Sequence, residues 1–254
     1  MAITIKNARE IDAMRRAGLV VSRIHVAVEQ AIAPGVTTRD LDDIARDIIS
    51  QEGAVSSFLG HLGFTGRICA SVNDEIVHGI PGKKSLKDGD IIAVDVGAAI
   101  DGFHADSAWT YAVGSIDPNV QALLDITERS LYEGVAAARG GNRLGAIGQA
   151  VETLITDAGY GMVREYGGHG IGRQMWEEPH VPNHGRAGQG VPLRPGMTIA
   201  IEPMVNMGVD ETRVLEDGWT VVTADGSLSA HFEHTVVITR EEPVILTPRV
   251  AVVV

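Results

Sequence analysis

Cysteine, basic residues and long apolar runs are scarce in this chain, and each scarcity excludes a class of protein. Cys69 is the only cysteine, so no internal disulfide can form, and we expect a reducing compartment such as the cytoplasm. The 21 basic residues are outnumbered by 33 acidic ones, and a net charge of −12 argues against nucleic acid as a partner. The longest apolar run, residues 250–254, is too short to cross a bilayer and predicts only a strand. The N-terminal residues lack the apolar stretch of a signal peptide, so none is expected.

The remaining composition is that of a globular protein large enough to bury a substantial core. The chain has 254 residues, of which 44% are hydrophobic and 21% are charged. No linker or low-complexity stretch interrupts it. We therefore predict one domain that spans residues 1–254.

Apolar periodicity predicts two helices followed by a hairpin in the first part of the chain. The first helix is expected over residues 7–33, and Pro34-Gly35 ends it. The second is capped by Thr37 or Thr38 and ends at Gly53. Strands are expected at residues 68–72, 91–96 and 107–113, the last two joined by a turn at Asp101-Gly102.

The second part of the chain repeats this order of helix, helix and hairpin. An offset of 106 residues carries Gly35 onto Gly141, and an offset of 107 carries Asp95 onto Glu202. We infer an internal duplication, with halves at about residues 1–114 and 115–254. Two related halves would set their carboxylates face to face across a pseudo-twofold axis.

One histidine and four carboxylates are the candidates for chemistry. Asp95, Glu202 and Glu233 lie in apolar, strand-like runs, Asp106 lies on the facing arm of the hairpin, and His169 lies between glycines. Each residue taken singly is more often structural than functional. A carboxylate is costly to bury without a compensating charge, and a bound cation is such a partner. Five ligands of this kind suit a pair of divalent first-row metals better than a single ion.

Seven sequence segments carry a resemblance to a known family. One is Gly168-His169-Gly170-Ile171-Gly172-Arg173, and the others are residues 73–81, 90–97, 102–106, 201–206, 217–220 and 227–235. In order and spacing they resemble type I methionine aminopeptidases, across nearly the whole chain. That family has the pita-bread fold, an α+β class in which two pseudo-symmetric halves pack helices on a curved antiparallel sheet. The resemblance thus implies a single catalytic domain.

The resemblance assigns a role to each candidate ligand. It implies that Asp95, Asp106, His169, Glu202 and Glu233 bind two divalent transition-metal ions, with cobalt, manganese, iron and zinc all acceptable. It also implies that Asp106 and Glu233 bridge both ions. Glu202 would handle the proton of the attacking water.

The resemblance further implies the substrate and its contacts. The substrate would be a peptide or nascent protein with a small second residue, from which the enzyme removes the N-terminal methionine. His78 would contact the scissile amide. The substrate and methionine pocket would be formed by Phe58, His61, Phe64, Cys69, Met175, Trp176 and Trp219. We expect a monomer, with the ribosome as a candidate partner, and neither nucleic acid nor a membrane.

The chain departs from the family pattern in its pocket. Seven residues after His169 the family usually carries a second histidine that contacts the substrate carbonyl, and here that residue is Trp176. Met175 stands where an aromatic residue is more usual, and His61 and Leu62 also differ from the common pocket residues. The ligand set matches in full, so these departures bear on rate and side-chain preference rather than on metal binding.

Two other interpretations share the same fold. A proline-specific peptidase would carry a large extra N-terminal domain, whereas here the first ligand is already Asp95. A paralogue with altered specificity, or a non-catalytic one that only binds peptides, is suggested by Trp176, although such non-catalytic proteins lose ligands and this chain retains all five. The 31 residues between Glu202 and Glu233 leave no room for the insertion of type II enzymes, and we expect no N-terminal zinc-binding extension.

Overall fold

The computed structural model describes residues 2–249 as four α-helices, a short 3-10 helix and fifteen strands. The helices are α1 (Ala8–Ala31), α2 (Thr38–Gln51), α3 (Pro118–Ala137) and α4 (Leu144–Asp157), and the 3-10 helix is His61–Gly63. The strands are β1 (Val55–Ser56), β2 (Ile68–Val72), β3 (Glu75–Val77), β4 (Ile91–Ile100), β5 (Phe103–Ala112), β6 (Gly161–Met162), β7 (Gly168–Gly170), β8 (Glu177–Val181), β9 (Thr198–Ile201), β10 (Met204–Asn206), β11 (Thr212–Val214), β12 (Val221–Thr223), β13 (Ser229–His231), β14 (His234–Val237) and β15 (Val244–Ile245). The strand predicted over residues 250–254 lies outside the described residues.

Helix starts follow local capping chemistry. The Asn7 side chain accepts hydrogen bonds from the backbone of Arg9 and Glu10, and the Glu10 carboxylate accepts one from the Asn7 backbone. Thr37 and Asp40 form the same reciprocal arrangement at the start of α2. Each of these reciprocal arrangements, known as a capping box, satisfies backbone N–H groups that a helix terminus otherwise leaves unpaired. The predicted helix starts are confirmed to within a few residues.

The sheets are antiparallel throughout. Strand β4 pairs along one edge with β5 and along the other with both β2 and β1. A five-stranded sheet in the second half has the order β15-β14-β9-β7-β8. Two three-stranded sheets complete the fold, in the orders β13-β10-β6 and β11-β12-β3. Helices combined with antiparallel sheets confirm the predicted α+β class.

The repeat seen in the sequence extends to the hydrogen bonds. Helices α2 and α4 have bounds displaced by 106 residues at both ends. The Gly35 amide donates to Leu86 O, and the Gly141 amide donates to Leu193 O in the equivalent place. Gly35 and Gly141 share a φ of 97°, a left-handed conformation that favours glycine. The division into one catalytic domain with two halves stays a prediction.

Polar contacts join the two halves along β5. The Ser107 hydroxyl donates to Glu233 O at 2.7 Å, and the Glu233 amide donates to Ala108 O at 2.8 Å. The Thr235 hydroxyl donates to Asp106 O at 2.8 Å and accepts from the Asp106 amide at 2.9 Å. These bonds hold Asp106 and Glu233, which are 127 positions apart in the chain, on adjacent segments in the interior.

Apolar side chains pack into clusters that span both halves of the chain. One large cluster of buried side chains runs from α1 and α2, through β2 and β4, to α3, α4 and the strands of the second half. A smaller cluster surrounds Phe58, Phe64, Cys69 and Met175. Within residues 2–249, no helix combines the length and the hydropathy that crossing a membrane requires.

Candidate active site

The two aspartates lie on one face of the β4–β5 hairpin. In the strand register Asp95 is opposite Ala108, and Asp106 is opposite Gly97, so the aspartates are diagonal neighbours rather than a directly opposed pair. A Cβ on Gly97 would lie 2.8 Å from the Ser57 Cβ, so a larger residue does not fit beside them.

His169 and the two glutamates reach the same place from the second half. His169 lies on β7, Glu202 follows β9, and Glu233 lies in the break between β13 and β14. The Nε2 atom of His169 is 3.9 Å from Asp106 Oδ2 and 3.8 Å from Glu202 Oε1. One potential ligand atom from each of Asp106, His169 and Glu233 lies within 4.8 Å of the others. Residues from both halves therefore converge on one point.

Backbone contacts orient the His169 ring toward that point. Its Nδ1 atom lies 2.8 Å from Gly170 O, and a carbonyl only accepts, so Nδ1 carries the hydrogen and Nε2 keeps its lone pair. The flanking glycines permit this close packing. A Cβ on Gly168 would lie 2.1 Å from Ala200 O, and one on Gly170 would lie 2.2 Å from Glu178 O.

Burial shifts the pKa of every candidate ligand toward its neutral form. Burial raises the pKa of Asp95 to about 7, and burial followed by the charge of Asp95 raises the pKa of Glu202 to about 8. Burial, and then the charges of the neighbouring carboxylates, also raise the pKa values of Asp106 and Glu233 well above their usual range. Burial lowers the pKa of His169 to about 4, so its imidazole is neutral at pH 7.

This cluster has the chemistry of a cation site. Among the residues described, one buried oxygen on each of Asp95, Asp106 and Glu233 has no hydrogen-bond donor. Such oxygens are costly unless a cation or proton satisfies them. Four carboxylates and a neutral imidazole with a free Nε2 lone pair are suitable ligands for divalent first-row metals. The residues present therefore fit the metal that the sequence predicts.

A cavity of about 210 Å³ connects the cluster to an apolar pocket. It is lined by Phe58, His61, Phe64, Cys69, His78, Asp95, Asp106, His169, Trp176, Glu202, Trp219 and Glu233. Of the residues predicted for the site, only Met175 is outside this lining. It is buried in the apolar cluster behind Phe58, Phe64 and Cys69.

Aromatic rings surround the predicted amide contact, His78. Tyr166 and Trp219 meet the His78 ring edge to face, with centroids 6.2 and 6.3 Å away. Burial lowers the pKa of His78, so the ring is neutral at pH 7. Trp219 also packs edge to face on Phe64 at 5.1 Å, which joins the His78 side of the cavity to its apolar end.

Trp176 lies at the mouth of the cavity. Its side chain is 39% exposed, and its ring centroid is 4.2 Å from that of His61 and 6.1 Å from that of His169. It also stacks on Phe58 at 6.4 Å. His180 is opposite His169 in the β7–β8 register and is exposed, so it shares the His169 face without lining the cavity.

His231 was missed by the sequence analysis. It is buried, and its Nε2 atom lies 3.8 Å from Glu202 Oε2. Neither ring nitrogen has a hydrogen-bond partner within the described part of the chain. Burial, followed by the charge of His78, lowers the pKa of His231 to about 3. Its only signal was its position two residues before Glu233, since side chains at that spacing share a face of a strand.

Comparisons with known proteins identify the family. Residues 12–240 match metallopeptidase family M24. Methionine aminopeptidase 1 of Bacillus subtilis is 49% identical, over 96% of this chain and 99% of that relative. A crystal structure of methionine aminopeptidase from Thermotoga maritima is 42% identical and superposes with a TM-score of 0.95, over 97% of this chain and 99% of that one. The chain belongs to metallopeptidase family M24, among the methionine aminopeptidases.

This membership confirms several predictions from the sequence. The type I methionine aminopeptidase family, the pita-bread fold and the class of metallo-aminopeptidase hydrolase are confirmed. A further relative, the methionine aminopeptidase of Clostridium perfringens, is 47% identical over 96% of this chain and 98% of that protein. Methionine aminopeptidases act on peptide or protein substrates, and as a metallopeptidase this one binds metal. The comparisons thus favour the aminopeptidase over the proline-specific peptidase and the non-catalytic binding protein.

Proposed function

We propose that this enzyme removes the N-terminal methionine of nascent proteins when the second residue is small, with two divalent metal ions at its site. The single observation that carries the proposal is the cavity, whose lining combines a cluster of unsatisfied carboxylates with apolar side chains. A substrate with a free amine, an amide to be cleaved and a thioether side chain matches that distribution.

The metal ions would be held by Asp95, Asp106, His169, Glu202 and Glu233. The proximity of Asp106, His169 and Glu233 ligand atoms supports this assignment. Manganese, iron, cobalt and zinc all accept such oxygen-rich sites with one imidazole. When bound, a metal pair supplies Lewis-acid polarisation of a carbonyl and lowers the pKa of a water.

Two side chains are suited to moving protons. With a pKa raised to about 8 by burial, Glu202 can take a proton from the attacking water and release it again near neutral pH. His78 is neutral and lines the cavity, so its imidazole can hydrogen-bond the scissile amide. His231 lies beside Glu202 and provides a polar neighbour for that carboxylate.

The apolar end of the cavity suits the methionine side chain. Phe58, Phe64 and Trp219 present aromatic surface, which makes favourable contacts with a thioether sulfur. Burial, followed by nearby carboxylates, raises the pKa of the Cys69 thiol, so Cys69 is a neutral and weakly polar part of the wall. Met175 supports this wall from behind.

The proposal extends to the cellular setting. A nascent chain carries its initiator methionine as it leaves the ribosome, so we propose action in the cytoplasm on chains at or near the ribosome. A monomer is sufficient, because every proposed ligand and pocket residue lies in one chain.

Peptide hydrolysis tests the proposed function. The chelated protein is incubated with Met-Ala-Ser, Leu-Ala-Ser and Leu-Pro-Ser, before and after manganese or cobalt is added. We expect rapid release of methionine from the first peptide only, and only with metal. Preferred cleavage of Leu-Pro-Ser would contradict the proposal in favour of a proline-specific peptidase, and binding of Met-Ala-Ser without cleavage would contradict it in favour of a binding protein.

A further inference from the structure

Three exposed apolar side chains belong to segments that line the cavity. Three of the ten large apolar side chains exposed among residues 2–249 are Leu59, Leu62 and Trp176, at 47%, 83% and 39% exposure. We call these three residues the apolar lip. Leu59 and Leu62 directly follow Phe58 and His61, which line the cavity, and the His61 ring lies 4.2 Å from that of Trp176. Exposed apolar side chains grouped beside a site can mark an interaction surface.

The loop that carries Leu62 holds this side chain outward. Gly60, Leu62 and Gly63 all have positive φ, at 84°, 46° and 89°. This conformation is unfavourable for leucine, and strained backbone of this kind is often found at functional sites. The loop is nevertheless well hydrogen-bonded, with the Gly60 amide donating to Phe64 O at 2.8 Å and the Phe64 amide donating to His61 O at 2.8 Å. The exposure of Leu62 is thus a property of an ordered turn.

The apolar lip is continuous with the catalytic cavity. His61 and Trp176 line the cavity, and Trp176 reaches within 6.1 Å of the His169 ring. A peptide whose methionine occupies the apolar end must leave the cavity at its mouth. Extended chain rises about 3.3 Å per residue, so the third and fourth residues lie roughly 7–10 Å beyond the first. At that distance they pass over the rim rather than the metal cluster.

We propose that the apolar lip binds the side chains of the third and fourth substrate residues and favours large apolar ones there. This inference rests on the proposed function and deepens it, because it adds specificity beyond the residue next to methionine. The occupant is an extended peptide with apolar side chains. Acidic side chains are disfavoured in addition, since the protein has a net charge of −12.

Matched peptides test the inference. The metal-loaded enzyme is assayed with Met-Ala-Leu-Leu-Ser-Gly and Met-Ala-Ser-Ser-Ser-Gly, and the ratio of their kcat/KM values is determined for wild type, Leu62→Ser and Val244→Ser. Partial burial of a leucine side chain predicts a ratio of about fivefold in wild type, mainly through KM. The ratio should fall toward one in Leu62→Ser. The ratio should stay unchanged in Val244→Ser. Val244 is also exposed, but it lies on β15, at the opposite edge of the sheet from β8, which Trp176 directly precedes.

Peptide affinity separates this inference from the proposed function. Binding of the same two peptides to the chelated protein is measured as a Kd ratio, which requires no turnover. If neither peptide is cleaved, the proposed function is wrong, while a Kd ratio near five that Leu62→Ser abolishes still supports the apolar lip. Equal affinities in wild type, or an unchanged ratio in Leu62→Ser, overturn the inference. Loss of a dimer in Leu62→Ser by sedimentation, with the peptide ratio unchanged, also overturns it, because the lip is then a contact between copies of this chain.

Discussion

At the scale of single residues, Trp176 is the main departure from the family pattern. Its indole N–H can donate a hydrogen bond, as the expected histidine would, but it cannot accept or carry a proton. The ring is held between His61 and Phe58 at the cavity mouth. His180, four residues further along and on the same face as His169, is one candidate for a displaced histidine.

Trp176→His tests whether tryptophan is a catalytic deficit. We expect turnover of Met-Ala-Ser to rise about tenfold or more at matched metal content, because a lost donor at a preorganised site costs about 10²–10³ in rate and the indole restores part of that. His180→Ala, assayed in parallel, should change nothing. Abolished activity in Trp176→His would instead make the indole an integral substrate contact, and a large loss in His180→Ala would make His180 the substitute.

Sequence reasoning predicted the five ligand residues that the structure brings together, but not all their neighbours. Asp95 and Glu202 stand out because acidic residues are unusual in apolar, strand-like runs. This mismatch between a charged side chain and its apolar neighbours is visible in the sequence. His231 has no such signal, because the β13–β14 break between it and His234 interrupts the alternation that would mark its face. The pocket was predictable only through resemblance, since Phe58 and Trp219 come from distant segments and each has the sequence context of an ordinary core residue.

At the scale of elements, helices were more predictable than strands. A capping residue marks the start of α2, and positive-φ glycines follow the ends of α2 and α4, and both are short-range signals. Strand β4 runs to Ile100 rather than ending at residue 96, and β5 begins at Phe103 rather than at residue 107. Small residues extend β4, and the mixed residues 103–106 extend β5, without clear apolar periodicity, so these strand ends depend on pairing between strands. The two- and three-residue strands of the second half depend on such pairing even more.

Strand β7 depends on glycine, so Gly168→Ala should be destabilising. The added Cβ would lie 2.1 Å from Ala200 O, a backbone atom that cannot move without separating β7 from β9. We expect the free energy of unfolding to fall by about 2–4 kcal/mol and Tm by roughly 5–10 °C in thermal denaturation. Gly82→Ala is the matched control, because its nearest neighbour would be 3.9 Å away. Equal Tm values for the two variants would contradict this account of β7.

At the scale of the whole molecule, the buried ionisable groups set the pH dependence of the metal-free protein. Burial lowers the pKa of His25 and His169 to about 4, and of His231 and His234 to about 3. Protonation of these histidines favours the unfolded chain, so stability is lost as pH falls below about 6.5. The buried carboxylates act in the opposite direction. Their raised pKa values mean that ionisation favours the unfolded chain, so stability is lost as pH rises.

We therefore predict that the chelated protein has its highest Tm near pH 6.5–7 and a lower Tm at pH 8. In that alkaline window unfolded histidines are already neutral, whereas Glu202, with a pKa of about 8, still holds much of its proton in the folded chain. Burial raises the pKa values of Asp106 and Glu233 too, so these carboxyl groups act in the same direction. Each such proton changes stability by about 1.4 kcal/mol per pH unit.

Glu202→Gln should flatten this decline of Tm with rising pH. Manganese binds the deprotonated ligands, so the Tm gain on adding it should grow with pH. A chelated Tm that rises from pH 7 to 8 would contradict the prediction.

Metal content measures the central claim most directly. Wild type, Asp106→Ala, Glu233→Ala and Asp101→Ala are loaded with manganese, freed of excess and analysed by elemental mass spectrometry. Asp101 is the control, because it belongs to the same hairpin but lies in the exposed turn, paired with Arg16 at 2.6 Å. The account predicts up to two ions per chain in wild type and Asp101→Ala, and loss of both ions in Asp106→Ala and in Glu233→Ala. Undiminished metal in Asp106→Ala would contradict the assignment of the site.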